Sequence, residues 1–568
     1  MASSDFQVTG KNTKALFTLK VHRGDGMCLV AMNWKNGEPP KNFVGFAIES
    51  KPPDGDTFFP LNNRLAFPGG GGVVNPLQLS TLVSPIQKFR WVHFPRNANL
   101  DGEFTYRVTP IFMDEEDRLS QGEPQEAGIE LRRDTFPGQL NVTFTRGFVS
   151  SQAFVDRYDK FGKIDTLLPK TAKDGLTFKA THPKKAEALA WMGFEARETV
   201  LDLLDQAIKE KAEVRVVAYD LSEPEVVGRF AKLKKKLRII IDDSKEHGEA
   251  ESGETQSAER LEKTAGTANV KRQHMKSLQH NKMIIVNGPK TKKVVFGSMN
   301  LSWRGLYVQA NNALVVEGAK PVELALAAFD NYFDKEDTFD ATDSAGLTNL
   351  GLKNIDAKVA FSPHSASNAL LETIGEDIGA TTSSLFYSLA FLSITPGVIK
   401  ESIKKTTKKA GIFVYGIADK KVGGIDLQMP NGNIAPVFAS ALDQNVPPPF
   451  SKEPAGGGGN RMHHKFVVID FDQPTARVYL GSYNFSIPAD RKNGENLVVI
   501  RDRRVAVSYA VEALRIFDHY HFRVVQKIAK QAKKTLQLKK PPREAGEKPW
   551  FAEDYSDPRK IRDRELFS

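Results

Sequence analysis

The chain has 568 residues, of which 40% are hydrophobic and 26% charged; this is globular usage, long enough for roughly three to four domains, and it excludes disorder. Its single cysteine, Cys28, rules out an intramolecular disulfide and a cysteine-built zinc site, and fits a reducing compartment. No apolar run of about 18 residues and no basic-then-apolar leader is present, so a cytoplasmic protein without a membrane span is expected, with signal-less export left open; a formal net charge of +10 favours anionic partners.

Residues 1–150 read as β. Short segments over 15–21, 42–48, 89–94, 102–110 and 139–145 are separated by Gly, Pro and Asn clusters. Phe104-Thr105-Tyr106-Arg107-Val108 alternates in the manner of a half-buried strand. The expectation is an immunoglobulin-like β-sandwich acting as an accessory packing or targeting module.

From about residue 172 helices alternate with strands. A helix over 191–209, with Ala196, Val200, Leu203, Leu204 and Ala207 at helical spacing, precedes a strand over 213–219. A helix over 223–236, a strand over 237–241 and a polar segment over 242–268 come next, the first half of that segment reading as a mobile loop. Strands over 280–286 and 294–299 follow, with Asn287-Gly288 opening the turn. The same order then returns: helix 366–379, strand 384–392, helix 395–410, strand 411–417, a Pro- and Gly-rich loop over 423–460, and strands 463–469 and 476–481. One α/β unit is therefore repeated. The expected domains are a sandwich over 1–150, halves over 172–345 and 355–535, and an extended tail over 536–568 that docks through Trp550, Phe551 and Tyr555.

Each copy of the unit carries the same polar residues. The first has His280-Asn281-Lys282 and then Gly297-Ser298-Met299-Asn300. The second has His463-His464-Lys465, Asp470, and then Gly481-Ser482-Tyr483-Asn484. Residues two apart on a strand share a face, so His280 groups with Lys282, Ser298 with Asn300, His463 with Lys465 and Ser482 with Asn484. His464 falls on the other face, without a catalytic role. Two such copies packed face to face make one pocket with two imidazoles and two ammonium groups. Phosphodiester cleavage needs that set: a neutral imidazole to attack phosphorus and a protonated one to release the leaving oxygen. Lysines and asparagines would hold the non-bridging oxygens. The chemistry asks for no metal and no cofactor, and none is expected.

These residues resemble the HxK–x4–D…GSxN signature of the phospholipase D superfamily, present twice, with the resemblance running over roughly residues 172–535. The second copy is complete in His463, Lys465, Asp470, Gly481, Ser482 and Asn484, whereas the first has Asn287 in place of the aspartate. The resemblance implies two α/β/α halves related by a pseudo-two-fold axis and a phosphohistidine intermediate. It gives the motif aspartate a structural place at a strand end, where Asn287 can still serve the turn. It also implies a carboxylate after GSxN that orients a histidine across the axis. Glu495 fills that place after the second motif, and Asn311-Asn312 stands there after the first. His280 is then the nucleophile and His463 the acid, with the reverse assignment open.

The resemblance points first to a phospholipase that frees a head group and leaves phosphatidic acid, or passes it to an alcohol. Such an enzyme would act at a phospholipid or membrane surface as a monomer holding both half-sites. Lysines 234–236, 404–405 and 408–409, with the basic balance, keep open a nuclease or DNA-adduct phosphodiesterase partnered by nucleic acid. Tyrosyl-DNA phosphodiesterases also lack the motif aspartate. A third reading is a catalytically silent binding module in which the β-sandwich is the working part.

Overall fold

The structure, a computed structural model, describes residues 5–68, 79–95, 97–131, 134–147, 151–392, 395–418, 462–531 and 536–568; the loop expected over 423–460 lies outside them. Two units divide these residues. One takes the described parts of Met1–Arg133 and Val507–Ser568, and the other those of 134–418 and 462–506. Among the described residues no helix is long and apolar enough to cross a membrane.

The second unit is mixed α/β and holds two seven-stranded sheets. The first runs Leu140–Phe144, Asn312–Glu317, Lys292–Gly297, Met283–Asn287, Glu213–Ala218, Leu237–Asp242, Val270–Gln273. The other runs Thr348–Asn349, Asp356–Ser362, Glu495–Arg501, Arg477–Gly481, Lys465–Ile469, Ser384–Leu389, Phe413–Ile417. When Met283–Asn287 is matched with Lys465–Ile469, six successive strands agree in order and direction. Every neighbouring pair among them is antiparallel except Glu213–Ala218 with Leu237–Asp242, and its counterpart Ser384–Leu389 with Phe413–Ile417. Of the matched pair, Lys465–Ile469 is buried throughout and Met283–Asn287 at every residue but its last. Near-continuous Val and Ile runs are what strands covered on both faces require.

Several expected boundaries shift. The strand read over 139–145 is Leu140–Phe144, and it pairs with Asn312–Glu317 in the second unit rather than with the N-terminal strands. Burying Leu140, Val142 and Phe144 covers an edge that Asn312–Glu317 would otherwise expose. The compact unit that holds the N-terminal strands runs to 133 and takes up the chain again from 507. The segment over 242–268 is not a loop throughout. It contains a helix, Gly253–Ala265, whose N-cap Ser252 Oγ accepts from Thr255 N at 3.0 Å.

In the first unit, Gln7–Thr9, Phe17–Arg23, Cys28–Trp34 and Arg90–His93 form one antiparallel sheet. Leu119–Gln121, Glu103–Met113, Phe43–Lys51 and Phe59–Pro60 form another, with Gln125–Glu130 also paired to Glu103–Met113. Phe17, Leu19 and Val21 from the first sheet share one core with Phe46, Phe104 and Tyr106 from the second. The expected extended tail is partly helical, with helices Ala552–Ser556 and Pro558–Phe567. Asp557 caps the latter through Arg559 N at 2.8 Å, and Pro558 suits its first turn. Phe551 is 1% exposed within that shared core, and Trp550 stacks on Phe89 at 5.3 Å. Phe551→Ala is expected to cost about 3–5 kcal/mol of this unit's stability. Hydrogen exchange of Phe17–Arg23 and Cys28–Trp34 reads the loss directly, and unchanged protection there would place Phe551 outside the cooperative core.

Candidate active site

Antiparallel pairing brings the entry of Met283–Asn287 and the exit of Lys292–Gly297 to the same edge of the first sheet. His280 and Lys282 lie just before the one strand, and Ser298 and Asn300 just after the other. The second sheet repeats the arrangement with Lys465–Ile469 and Arg477–Gly481. The histidines sit on extended lead-ins, not within strands as expected, because these lead-ins bond to the other half. His463 N donates to Ala310 O at 3.1 Å, and Gly494 N to Leu278 O at 2.9 Å. The motif glycines are required by the backbone. Gly297 and Gly481 have φ of 138° and 144°, and a Cβ at either would run into the carbonyl oxygen of Asn312 or Asn496 on the neighbouring strand.

The two imidazole rings meet edge-on with centroids 6.3 Å apart, His280 4% and His463 5% exposed. Each ring is held from the other half. His280 Nδ1 lies 2.8 and 2.9 Å from the carboxylate oxygens of Glu495. His463 Nδ1 lies 2.8 Å from Asn311 Oδ1 and 3.0 Å from Ser298 O. With these oxygens accepting, both rings carry their proton on Nδ1 and leave Nε2 with its lone pair. The serines fix the acceptors rather than facing a substrate: Ser482 Oγ donates to Glu495 at 2.7 Å, and Ser298 Oγ to Asn311 Oδ1 at 2.9 Å. The lysines repeat as well. Lys465 Nζ donates to His463 O at 2.9 Å, and Lys282 Nζ to His280 O.

Burial and crowding of like charge set the electrostatics. Burial, then the Lys282 and Lys465 charges, hold His280 well below the usual imidazole range, and burial with the same two lysines does so for His463. Burial lowers Lys282 to about 8, with Glu495 opposing, and moves Lys465 down further with the help of Lys282. Burial raises Glu495 to about 8 against the pull of Lys282. The empty pocket thus resists every charge it contains, and a bound anion would relieve the cations.

The remaining expected residues take supporting positions. Asp470, at φ 52°, caps the start of Ser384–Leu389 by accepting from the backbone N–H of Thr382 at 3.0 Å and Ser383 at 2.8 Å. Asn287, its counterpart, accepts from Lys292 Nζ at 2.6 Å. The turn there is held instead by Glu210, which accepts from Thr291 N at 3.1 Å and Thr291 Oγ1 at 2.8 Å. Asn300 Nδ2 donates to Asp220 at 2.8 Å. The Oδ1 atoms of Asn300 and Asn484 are both buried without a hydrogen-bond partner among the described residues. His464 is fully buried with its ring edge-on to Phe144 at 5.7 Å. Sequence reasoning missed Tyr219, Asp220, Asp242 and His247. Tyr219 packs edge-on against His280 at 4.6 Å and His247 at 4.5 Å, and Lys282 Nζ lies 4.7 Å from its centroid.

Over residues 201–335 and 378–517 the chain matches the family model described as Cardiolipin synthase, PLD-like domain. Over 47 residues it is 43% identical to the Phospholipase D of Rickettsia prowazekii (strain Madrid E), a stretch making up 8% of this chain and 21% of that protein. Against the Phospholipase D of Rickettsia felis the same identity holds over 47 residues, 8% of this chain and 22% of the relative. The match thus spans about a fifth of the length of these curated relatives. The solved phosphatidylserine synthase of Haemophilus influenzae Rd KW20 aligns at 14% identity over 60% of this chain and 92% of its own, with a TM-score of 0.41. Nuc from Salmonella typhimurium aligns at 22% identity over 30% of this chain and 96% of its own, with a TM-score of 0.19. One copy of the HxK and GSxN residues falls inside each of the two matched segments, and the chain belongs to the phospholipase D superfamily.

Proposed function

We propose that this chain is a phosphodiesterase that hydrolyses a phospholipid head-group ester through a covalent phosphohistidine on His280. The observation that carries the reading is the unequal pair of crossed contacts: a carboxylate, Glu495, on His280, and an amide, Asn311, on His463. Forming the N–P bond makes the His280 ring cationic, and only a carboxylate behind Nδ1 stabilises that charge more in the transition state than before it. His463, backed by neutral oxygens, gives up its proton more readily. In the first step the bound phosphate's negative charge raises the pKa of His463, so that its ring is protonated on Nε2 as well as Nδ1. His280 Nε2 then bonds to phosphorus, the P–O bond to the leaving alcohol breaks, and His463 Nε2 gives that oxygen its proton. In the second, His463 takes a proton from water, whose oxygen displaces His280. An alcohol in place of water gives transfer instead. Lys282, Lys465, Asn300 and Asn484 would face the non-bridging oxygens, and these residues supply every proton and charge the two steps need.

The phospholipid assignment rests on both half-sites lying in one chain and on the short stretch shared with the Phospholipase D of Rickettsia prowazekii. The matching order of six strands supports a pseudo-two-fold relation between the halves. In the first unit the orders Phe17–Arg23, Cys28–Trp34, Arg90–His93 and Phe59–Pro60, Phe43–Lys51, Glu103–Met113, Gln125–Glu130 support an immunoglobulin-like sandwich.

With EDTA present, wild type is expected to release head group from mixed phospholipid vesicles, and His280→Ala and His463→Ala to lose at least about 10²–10⁴-fold in rate. Plasmid nicking that both variants lose would move the substrate to nucleic acid and keep the site. Head-group release surviving in both variants would sink the assignment of the histidines.

The lysine shifts give a second expectation. Lys282 binds an anion best when protonated, and its pKa of about 8 means that this contribution is present below pH 8 and lost as pH rises through it. Inhibition by inorganic phosphate or vanadate should therefore weaken across pH 7–9, more gently in Lys282→Met. A flat profile to pH 10 would show that Lys282 keeps the titration of an exposed lysine.

A further inference from the structure

Outside the two motifs, the site wall contains a third histidine engaged at both ring nitrogens. His247 Nδ1 is 2.8 Å from Asp242 Oδ2, and its Nε2 is 3.2 Å from Asp220 Oδ1. Both partners are carboxylates, so both nitrogens donate and the ring is a cation. The chain of contacts runs on at each end. Asp242 Oδ1 accepts from Gln279 N, the residue before His280, at 2.6 Å. Asp220 Oδ2 accepts from Asn300 Nδ2, the amide of the first GSxN, at 2.8 Å.

We infer that His247, clamped between Asp242 and Asp220, is a positioning residue that fixes the Asn300 amide relative to the backbone entering His280. The inference rests on the phosphodiesterase reading and goes past it by giving a role to residues outside both motifs. Asn300 can offer a phosphoryl oxygen its second N–H only if the first is held, and Asp220 holds it. Asp220 in turn would swing as a carboxylate on a strand exit without the His247 cation. The corner itself is pinned, since Leu221 N donates to Glu254 at 2.9 Å and Ser257 Oγ to Leu221 O at 2.7 Å. Both acceptor and donor come from the helix Gly253–Ala265, so this helix serves the site.

The charges around the ring agree. Burial would lower the pKa of His247, but Asp220 and Asp242 more than reverse that and raise it to about 10. The folded-state value lies above the ordinary one, so the cation persists through neutral pH and is lost only as pH climbs through about 10. Asp220 is held low against its own burial by the same contact. The facing groups are Asp220, Asp242 and Glu254, with Tyr219 against the ring and Lys282 beyond it. Ligand atoms of Asp220, His247 and Glu254 lie within 4.8 Å of one another, a spacing that could suit a metal ion. A ring donating from both nitrogens has no lone pair left for one, so the ion-pair reading is preferred.

Two measurements test this. The first needs no substrate: side-chain ¹⁵N NMR of His247 should show both ring nitrogens protonated at pH 7. A neutral ring, or a nitrogen shifted by added Zn²⁺ or Mn²⁺ after chelation, overturns the proposal in favour of an ordinary or metal-binding histidine. The second is a double-mutant cycle on turnover. His247→Gln is expected to lower kcat about 10–100-fold with a smaller change in KM. In Asn300→Ala the same change should cost little more, because the group it positions is gone. Added imidazole should restore part of the rate to His247→Gly. Multiplicative losses in the cycle, or a full-rate His247→Gln, overturn the positioning role. If wild type turns over neither substrate while the NMR result holds, the proposed function fails and the bridge stands.

Discussion

Everything in the candidate site depends on hydrogen bonds that cross from one half to the other, above all the contact of Glu495 with His280 Nδ1. An imidazole has two equivalent ways to carry one proton, and nothing within a lone HxK segment chooses between them. The choice is made by an acceptor on Nδ1. Here that acceptor belongs to the strand Glu495–Arg501 of the second sheet, so the first histidine has no defined tautomer until both sheets are in place. The converse contact, Asn311 to His463, imposes the same dependence on the other ring. The site therefore exists only at the level of the paired halves, although each half carries its own HxK and GSxN residues. Backbone contacts enforce the pairing, with His463 N on Ala310 O and Gly494 N on Leu278 O. A Cβ at Gly494 would meet the amide end of the Gln279 side chain, which would have to move aside.

Within that frame, the difference between the halves is one of charge and not of shape. Glu495 and Asn311 are both fully buried, both receive a serine hydroxyl and both present an oxygen to a histidine. An amide in place of an acid keeps the geometry and removes the one member of the pair that can ionise, where the effective dielectric is low. Two rings of one type are thereby made unequal: one is suited to becoming a cation, the other to passing a proton on.

How much of this could be read from the sequence follows from how local each feature is. HxK and GSxN are legible because each is a short run at the ends of one antiparallel hairpin, so spacing alone brings their residues together. Glu495 and Asn311 stand at matching places after each GSxN, and the resemblance to a known family pointed to them. Asp220, Asp242 and His247 carry no such mark. They come from the exits of two strands and a 3₁₀ turn, and only the sheet order, with Leu237–Asp242 parallel to Glu213–Ala218, gathers them. The helix Gly253–Ala265 was hidden because its apolar stripe is narrow: Ala258, Leu261 and Ala265 are buried, and the rest of its surface is mostly polar. The strand at Leu140–Phe144 shows another limit. Alternation says that a segment is a strand, but not which sheet will receive it. The C-terminal helices were missed for a related reason: Trp550, Phe551 and Tyr555 announce docking, whereas the cap at Asp557 is a single residue in a charged stretch.

The two lysines bear on whether this pocket is kept for stability or for use. Lys282 is 4% exposed and Lys465 1%, and each amine donates to the carbonyl of its own histidine, a neutral acceptor, while Glu495 and Asp220 offset only part of what burial costs the charge. Removing two like charges from water without pairing them opposes folding, and apolar residues of similar volume would serve a core better. Structural lysines elsewhere in the chain take the cheaper course: Lys276 meets Asp340 at 2.9 Å and Lys320 meets Glu323 at 3.0 Å, both near solvent. Buried, crowded cations that nearby carboxylates only partly offset make sense where an anion is to be received, since its arrival supplies the missing charge and restores protonation. The same argument covers a lipid phosphate and a nucleic-acid phosphate alike. What tells them apart must therefore lie in the walls around the phosphate and not in Lys282, Lys465, Asn300 and Asn484, the residues proposed to hold it.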